Sequence, residues 1–133
     1  MNPIIGKITS YFGKRKHPVT GIESFHNGID IACKTGTPVL APEDGVIINL
    51  WDDEKGGKSL AMISYTGVRF GFAHLSKQIV SELDEVKEGQ TIAFSGSTGR
   101  VTGPHLHFTV MRNGTYVDPL EYFDYIEKPL DEK

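Results

Sequence analysis

The chain has 133 residues, of which 38% are hydrophobic and 23% are charged, and its formal net charge is −3. This length suits one folded domain with its own hydrophobic core. A net negative charge argues against a nucleic-acid-binding protein, because such proteins present clustered Lys and Arg side chains to phosphates. The apolar runs fall far short of the ~20 residues of a membrane-spanning helix, so we expect no membrane insertion.

Two local features of the sequence are interpreted as structural. Cys33 is the only cysteine, which excludes an intramolecular disulfide, so the fold must rest on packing and on any bound metal. The short basic stretch GKRKH at 13–17 is interpreted as a solvated loop, since isolated charge runs usually face water.

Strand-like segments separated by glycine turns dominate the chain. β-branched and aromatic residues predict seven strands, at 7–12, 28–33, 45–51, 59–65, 68–75, 91–96 and 105–112. Thr66-Gly67 and Asn113-Gly114 lie between such segments, where glycine tolerates the positive φ of tight hairpins. We therefore predict an all-β fold with a mainly antiparallel sheet, forming a single compact domain over residues 1–133.

One short C-terminal helix is predicted over residues 119–126. Asp118 has the side chain of an N-cap, and Pro119 suits the first helical position. The last residues, 127–133, are expected to fray.

The stretch GPHLHF at 103–108 places two of the five histidines two residues apart. In a strand, alternation turns Leu106 and Phe108 toward the core and His105 and His107 toward the opposite face. At ~3.3 Å per residue the two histidines lie roughly 6.5 to 7 Å apart along the strand and can point into one site. For an isolated pair the simpler interpretation is two solvent-exposed histidines.

The pair is accompanied by other metal-binding residue types. His26 and Asp30 lie in HNGID, a loop entering a strand, and alternation turns Asp30 away from the core. The same alternation makes Cys33 a small core residue. His74 ends a predicted strand, with Ala73 and Leu75 expected on the other face.

Four histidines and one aspartate on polar faces favour a zinc site. Imidazole and carboxylate are good zinc ligands, and a catalytic zinc uses three protein ligands plus one open position. Two neutral histidines and one aspartate would leave a net charge of +1, which keeps the metal electrophilic. The residues alone leave open which histidines are the ligands.

Three ordered motifs resemble a known family: HxxxD at 26–30, HLS at 74–76 and TGxxTGPHLHF at 98–108. The chain resembles the lysostaphin-type zinc metallopeptidases, also called LytM-domain or DD-endopeptidase-like peptidases. The likeness extends over about residues 8–119 and ends in the YVDP block. This ordered set is far more specific than an H-x-H pair alone.

The resemblance implies a compact antiparallel β core with a metal-binding groove. It implies that one Zn²⁺ per chain is bound by His26, Asp30 and His107. It also implies that His74 and His105 are the non-ligand, catalytic histidines beside the reacting water, with their two roles open to exchange.

Three other positions of the family blocks are judged separately. Arg15 is a candidate substrate-binding residue, whereas His17 is interpreted as a structural loop residue. At Phe72 many family members are expected to have tyrosine, so any contribution of that hydroxyl is absent here.

The resemblance implies a zinc metalloendopeptidase that hydrolyses peptide bonds in the stems or cross-bridges of bacterial peptidoglycan. We expect it to act as a monomer. Two alternatives are a non-catalytic LytM-type module, which binds wall material or activates a partner hydrolase, and a carbohydrate-binding β domain with an incidental metal. Such non-catalytic modules usually lose ligands, whereas this chain keeps all five site positions.

The substrate and its delivery are inferred from what accompanies the motifs. Because the chain is mildly acidic and shows no basic wall-binding appendage, we expect direct cross-links containing diaminopimelate rather than pentaglycine bridges. The N-terminal residues lack the pattern of a signal peptide. We therefore expect a phage enzyme, released through membrane holes or carried in the particle, with a truncated secreted hydrolase as the alternative.

Overall fold

The computed structural model describes residues 1–16, 18–99, 101 and 103–122, and these form a 10-stranded sheet and a separate two-stranded sheet. The strands are β1 (Lys7–Ser10), β2 (Gly13–Lys16), β3 (Glu23–His26), β4 (Ile29–Ala32), β5 (Pro38–Leu40), β6 (Gly45–Asp53), β7 (Gly57–Ser64), β8 (Arg69–Gln78), β9 (Glu85–Val86), β10 (Thr91–Ser95), β11 (His105–Arg112) and β12 (Thr115–Val117). All of the described strand pairs are antiparallel, which confirms the predicted all-β, mainly antiparallel fold.

The main sheet has the strand order β1-β4-β11-β8-β7-β6-β9. Strand β12 pairs with β11, whereas β10 pairs with both β5 and β8. Strands β2 and β3 form the separate hairpin, which ends at His26. Strands β4, β11 and β8 are therefore adjacent, although they are far apart in the sequence.

One face of the main sheet forms the hydrophobic core. Leu106, Phe108 and Val110 of β11 are at most 1% exposed, as the alternation in 105–112 predicts. The ring of Phe108 packs against Phe70 and Phe72 of β8, at centroid distances of 6.1 and 5.4 Å. Since side chains alternate along each strand, the polar residues of β11 and β8 meet on the opposite face.

Strand β8 changes its pairing partner along its length. Residues 69–73 pair with β11, and residues 75–78 pair with β10. His74 lies at the junction, where its φ of 65° is in the left-handed region that non-glycine residues rarely adopt. The register between β7 and β8 shifts at the same place, which is the signature of a β-bulge.

This bulge corrects one prediction from alternation. Leu75 is fully buried in the core, as expected, but Ala73 lies on the same side of the sheet as His107, its pairing partner on β11. Ala73 and His74 therefore share the polar face. Strict alternation fails here because a bulge adds one residue and changes the side to which the chain points.

The seven predicted strands are present, and five short strands were missed. Strands β2, β3, β5, β9 and β12 have two to four residues each, too few to show a clear alternation. The predicted solvated loop over 13–17 is wrong for residues 13–16, which form β2, although Lys14, Arg15 and Lys16 are exposed. His17 lies outside the described residues.

The turns and the helix cap follow the sequence signals. Asn113 and Gly114 have φ values of 52° and 77°, as a tight hairpin between β11 and β12 requires. Helix α1 is Pro119–Tyr122, and the Leu120 N–H donates to Asp118 Oδ1 at 3.0 Å, which confirms the N-cap. Residues 123–126 of the predicted helix and the tail 127–133 lie outside the described residues.

No described helix is both long enough and apolar enough to span a membrane.

Candidate metal centre

The pairing of β4 with β11 places Asp30 directly opposite His107. Cross-strand partners on one face bring their side chains into contact. His107 Nδ1 lies 2.8 Å from Asp30 Oδ1, and both side chains are about one-fifth exposed. The predicted alternation in both strands therefore delivers two of the three expected ligands to one point.

His26 reaches the same carboxylate from the end of β3. Its Nε2 lies 3.4 Å from Asp30 Oδ1. The turn between β3 and β4 runs directly over β11, because a Cβ on Gly28 would lie only 2.2 Å from the carbonyl oxygen of Phe108. Glycine is therefore required at position 28 to bring His26 close to the two strand residues.

These three side chains could hold a metal ion. One ligand atom each of His26, Asp30 and His107 lies within 4.8 Å of the others, and they are the metal-binding group found among the described residues. The donor set is two imidazole nitrogens and one carboxylate oxygen, which suits Zn²⁺ and leaves a fourth position open. His26 Nδ1 also donates to the carbonyl oxygen of Tyr11 at 3.0 Å, so its Nε2 lone pair is free for the metal. The residues thus fit zinc.

The electrostatics of the cluster favour a charged carboxylate. Burial opposes ionisation of Asp30, but hydrogen bonds and charge attraction from His107 and His26, when these rings are protonated in the absence of a metal, outweigh this effect, so the pKa of Asp30 lies well below its ordinary value. The hydrogen bond to Asp30 raises the pKa of His26, although burial partly opposes the rise. A half-buried negative charge among nitrogen donors is an environment that attracts a cation.

His105 and His74 lie beside this centre with their rings in contact. Their ring centroids are 4.8 Å apart, and the ring of His74 is 6.3 Å from that of His107. His105 Nδ1 donates to the Gly103 carbonyl oxygen at 3.0 Å, and His74 Nδ1 donates to that of Thr98 at 2.8 Å. Because a carbonyl only accepts, both rings carry the proton on Nδ1 and leave Nε2 available.

The two histidines differ in their distance from the carboxylate and in their environment. His105 Nε2 lies 3.9 Å from Asp30 Oδ1. Burial lowers the pKa of His74, and the neighbouring His105 and His107 lower it further, whereas the hydrogen bond that its Nδ1–H donates to the Thr98 carbonyl oxygen raises it. His74 is therefore neutral near pH 7 and can accept a proton.

A contact between two glycines holds the loop that positions His74. A Cβ on Gly99 would lie 2.4 Å from the Gly57 nitrogen, and a Cβ on Gly57 would lie 2.4 Å from the Thr98 carbonyl carbon. The turn between β6 and β7 therefore packs backbone to backbone against residues 98–99. Gly56 also accepts a hydrogen bond from the backbone N–H of His74 at 2.8 Å. The glycine-rich segment at 96–99 is thus both a tight turn and a wall of the site.

Asn27 is a site residue that the sequence analysis missed. His107 Nε2 lies 2.9 Å from Asn27 Oδ1, while its Nδ1 faces Asp30. His107 is therefore turned the opposite way from the other three histidines, with Nε2 as the donor and Nδ1 toward the metal centre. The only feature of the sequence that could have indicated Asn27 is its position in the HNGID motif, between His26 and Gly28.

The remaining predicted residues lie at the edge of the site or away from it. Arg15 donates from Nη1 to Ser10 Oγ, which lies 3.5 Å from His26 Nδ1, so its exposed side chain is close to the centre. Its role in substrate binding stays a prediction. Phe72 packs in the core and is only 2% exposed, and Cys33 is buried as predicted.

Residues 24–119 match the family described as Peptidase family M23. The chain belongs to this family. The resemblance inferred from the three histidine-containing motifs is therefore confirmed, and the antiparallel sheet described above is the M23 fold of this chain.

Relatives of this M23 chain include known peptidases. It is 42% identical over 116 residues to the peptidoglycan DD-endopeptidase ShyB of Vibrio cholerae, covering 86% of this chain and 27% of ShyB. A zinc containing peptidase from Vibrio cholerae superposes with a TM-score of 0.83 at 41% identity, covering 88% of this chain and 37% of that one. The catalytic domain of the antimicrobial peptidase lysostaphin from Staphylococcus simulans superposes with a TM-score of 0.79 at 36% identity, covering 90% and 93%. The M23 chain spans about a quarter of the length of the curated relatives it matches.

We predict that Asn27→Ala weakens zinc binding by roughly 10- to 100-fold, the usual effect of removing a group that orients a ligand histidine. Asn27→Asp keeps an acceptor oxygen and should lose much less. Competition with a chromophoric zinc chelator measures both affinities. Wild-type affinity in Asn27→Ala would show that the contact to His107 has no role in metal binding.

We predict that Gly99→Ala displaces the Thr98 carbonyl from His74 without removing zinc, because the new methyl group cannot fit against the Gly57 backbone. Gly67→Ala is the matched control, since Gly67 also has a positive φ of 91° but nothing within 4 Å of an added Cβ. The ¹⁵N chemical shifts of the imidazole ring report the His74 tautomer. An unchanged His74 signal in Gly99→Ala would contradict this account.

Proposed function

We propose that this M23 domain is a zinc-dependent endopeptidase that hydrolyses peptide bonds in bacterial peptidoglycan. The observation that carries the proposal is the convergence of His26, His105 and His107 on the Asp30 carboxylate, with His74 in contact with His105. Three ligands with an open fourth position suit metal-assisted hydrolysis, and the two further histidines can transfer protons. The zinc containing peptidase and the DD-endopeptidase among the relatives support the same activity.

His74 and His105 have different roles in the proposed reaction. When bound, zinc would lower the pKa of a water toward ~7 and polarise the scissile carbonyl. Neutral His74 can take the proton of the attacking water at Nε2, because Thr98 holds its Nδ1–H. His105 can donate from Nε2 only when both of its ring nitrogens are protonated, and in that form it can stabilise the developing oxyanion or protonate the leaving amine. Since Nδ1 of each ring is held by a carbonyl, the geometry also permits the reverse assignment.

The choice of substrate within peptidoglycan is part of the proposal. Cross-links containing diaminopimelate are favoured over pentaglycine bridges, and the name of the DD-endopeptidase ShyB is consistent with a stem-peptide substrate.

Release of the enzyme by a phage stays a prediction. Expression in the cytosol should then be tolerated until the membrane is permeabilised, after which turbidity should fall unless a zinc chelator is present.

The ligand and catalytic roles separate in single variants. His107→Ala should lose zinc and activity together, and it should also lower stability, since binding to the folded state adds to folding energy. His105→Ala and His74→Ala should keep about one zinc per chain while turnover falls by roughly 10²-fold or more. Metal analysis of each purified variant, together with hydrolysis of purified muropeptides, measures both effects.

Two results would contradict this division. Loss of zinc from His105→Ala with retention in His107→Ala would show that the two histidines of β11 exchange roles. Less than about half an equivalent of zinc in unchelated wild-type protein, with no gain in activity on adding zinc, would end the enzyme hypothesis and leave a non-catalytic wall-binding module.

The substrate is identified by digesting muropeptides of known cross-link type and weighing the products. We expect monomers from diaminopimelate-containing dimers and no cleavage of pentaglycine bridges. Cleavage of pentaglycine-bridged wall alone would overturn the substrate choice but keep the zinc endopeptidase. A chelated sample is the control for metal dependence.

A further inference from the structure

We infer that a groove beside the metal centre binds an extended peptide and that Arg69, at its far end, binds a carboxylate of that peptide. This inference rests on the proposed function and adds a specificity-determining residue to it. It would make the enzyme selective for acidic stem peptides over uncharged glycine bridges.

The groove runs along the polar face of β8 and β11, away from the core. Its volume is about 390 Å³, and His107 and Asn27 line the end nearest the metal centre. The register of the two strands pairs His107 with Ala73 and Met111 with Arg69. Four residues of strand at ~3.3 Å each separate these two levels, so the far end lies ~13 Å from the ligand histidine.

The floor of the groove is low in its middle. Gly71 pairs with Thr109 there, and a Cβ on Gly71 would lie 2.4 Å from Thr109 Oγ1. Ala61 of β7 pairs with Gly71 on the other side and also lines the groove. Small residues in the floor leave room for the backbone of a substrate to lie across the sheet.

Aromatic side chains border this floor. Trp51 of β6 and Tyr116 of β12 line the groove and are 37% and 40% exposed. Large, rigid aromatic groups of this kind provide contact area for an extended chain at low entropic cost. The groove therefore has the shape of a peptide-binding site along its length.

The charge of the groove selects what can lie at its far end. Arg69 is exposed, and the described residues provide no carboxylate that forms an ion pair with it. The described groove lining also contains no acidic side chain. A guanidinium group binds a carboxylate through two parallel hydrogen bonds, a geometry that an amide or a glycine backbone cannot match.

The position of Arg69 matches an acidic stem peptide better than a glycine bridge. An extended peptide covers ~13 Å with about four residues, and the long arginine side chain shortens this span. A free carboxylate two to four residues from the scissile bond can therefore reach Arg69 while the bond lies at the metal centre. Stems with diaminopimelate cross-links carry such carboxylates, whereas pentaglycine bridges carry none.

The test compares Arg69→Gln with wild type on two matched peptides, a cross-linked stem peptide with its free carboxylates and the same peptide with carboxamides. We expect KM for the acidic peptide to rise about 10-fold or more, the scale of a lost charged hydrogen-bonded pair, with kcat within about twofold. The two proteins should treat the carboxamide peptide alike, and Arg69→Lys should recover part of the loss. Arg112→Gln is the matched control, because Arg112 is exposed on the neighbouring strand, outside the groove, over the ring of Tyr122.

Binding can be measured without hydrolysis, because Trp51 is the only tryptophan of the chain and borders the groove. Titration of zinc-free protein with each peptide should change its fluorescence, with the acidic peptide bound about 10-fold more weakly by Arg69→Gln. Equal affinity of wild type and Arg69→Gln for the acidic peptide, or an equal loss on both peptides, would overturn the role of Arg69. Failure of zinc-loaded wild type to cleave either peptide would instead reject the proposed function, while the titration would still decide the role of the arginine.

Discussion

The carboxylate of Asp30 is the constraint on which the site depends. Removing a charge from water is costly unless hydrogen-bond donors or a cation compensate for it, so the surrounding residues must supply donors or bind a cation. Three imidazole nitrogens, from His26, His105 and His107, lie within 3.9 Å of its Oδ1 atom. The strand pairs, the glycine turn at position 28 and the hairpin ending at β3 all serve to hold these groups around one oxygen.

A second layer of hydrogen bonds decides what each imidazole can do. His26, His74 and His105 each donate from Nδ1 to a backbone carbonyl oxygen. His107 is reversed, since Asn27 accepts from its Nε2 and Asp30 faces its Nδ1. Backbone carbonyls are part of the fold, so the available nitrogen of each ring is set before any ligand arrives.

The bulge at His74 connects the fold to the chemistry. A regular strand would place Ala73 and His74 on opposite faces, whereas the left-handed residue at 74 brings both to the polar side. The same irregularity lets β8 leave β11 and continue beside β10. Backbone strain is tolerated where the surroundings fix it, and here the contact of Gly57 with Gly99 and the bonds to Gly56 and Thr98 do so.

The sequence by itself determined the type of fold, seven of the twelve described strands and a set of candidate metal-binding residues. Alternation in 28–33 and 105–112 was sufficient to assign core and polar faces, because side chains in a regular strand must alternate. The ordered motifs around His26, His74 and His107 were sufficient to identify the family. These signals are local patterns of neighbouring residues, so the amino-acid sequence alone contains them.

Only the tertiary structure decided how these parts meet. The pairing of Asp30 with His107 joins strands 77 residues apart in sequence, and no local pattern specifies such a partner. The role of Asn27 depends on the same pairing, and the bulge at His74 breaks the alternation used to predict its face. The groove likewise exists only because Arg69 and Trp51, from different strands, lie on one face of the sheet. Long-range pairing and local backbone irregularity depend on the whole chain, and for that reason they could not be derived from its segments.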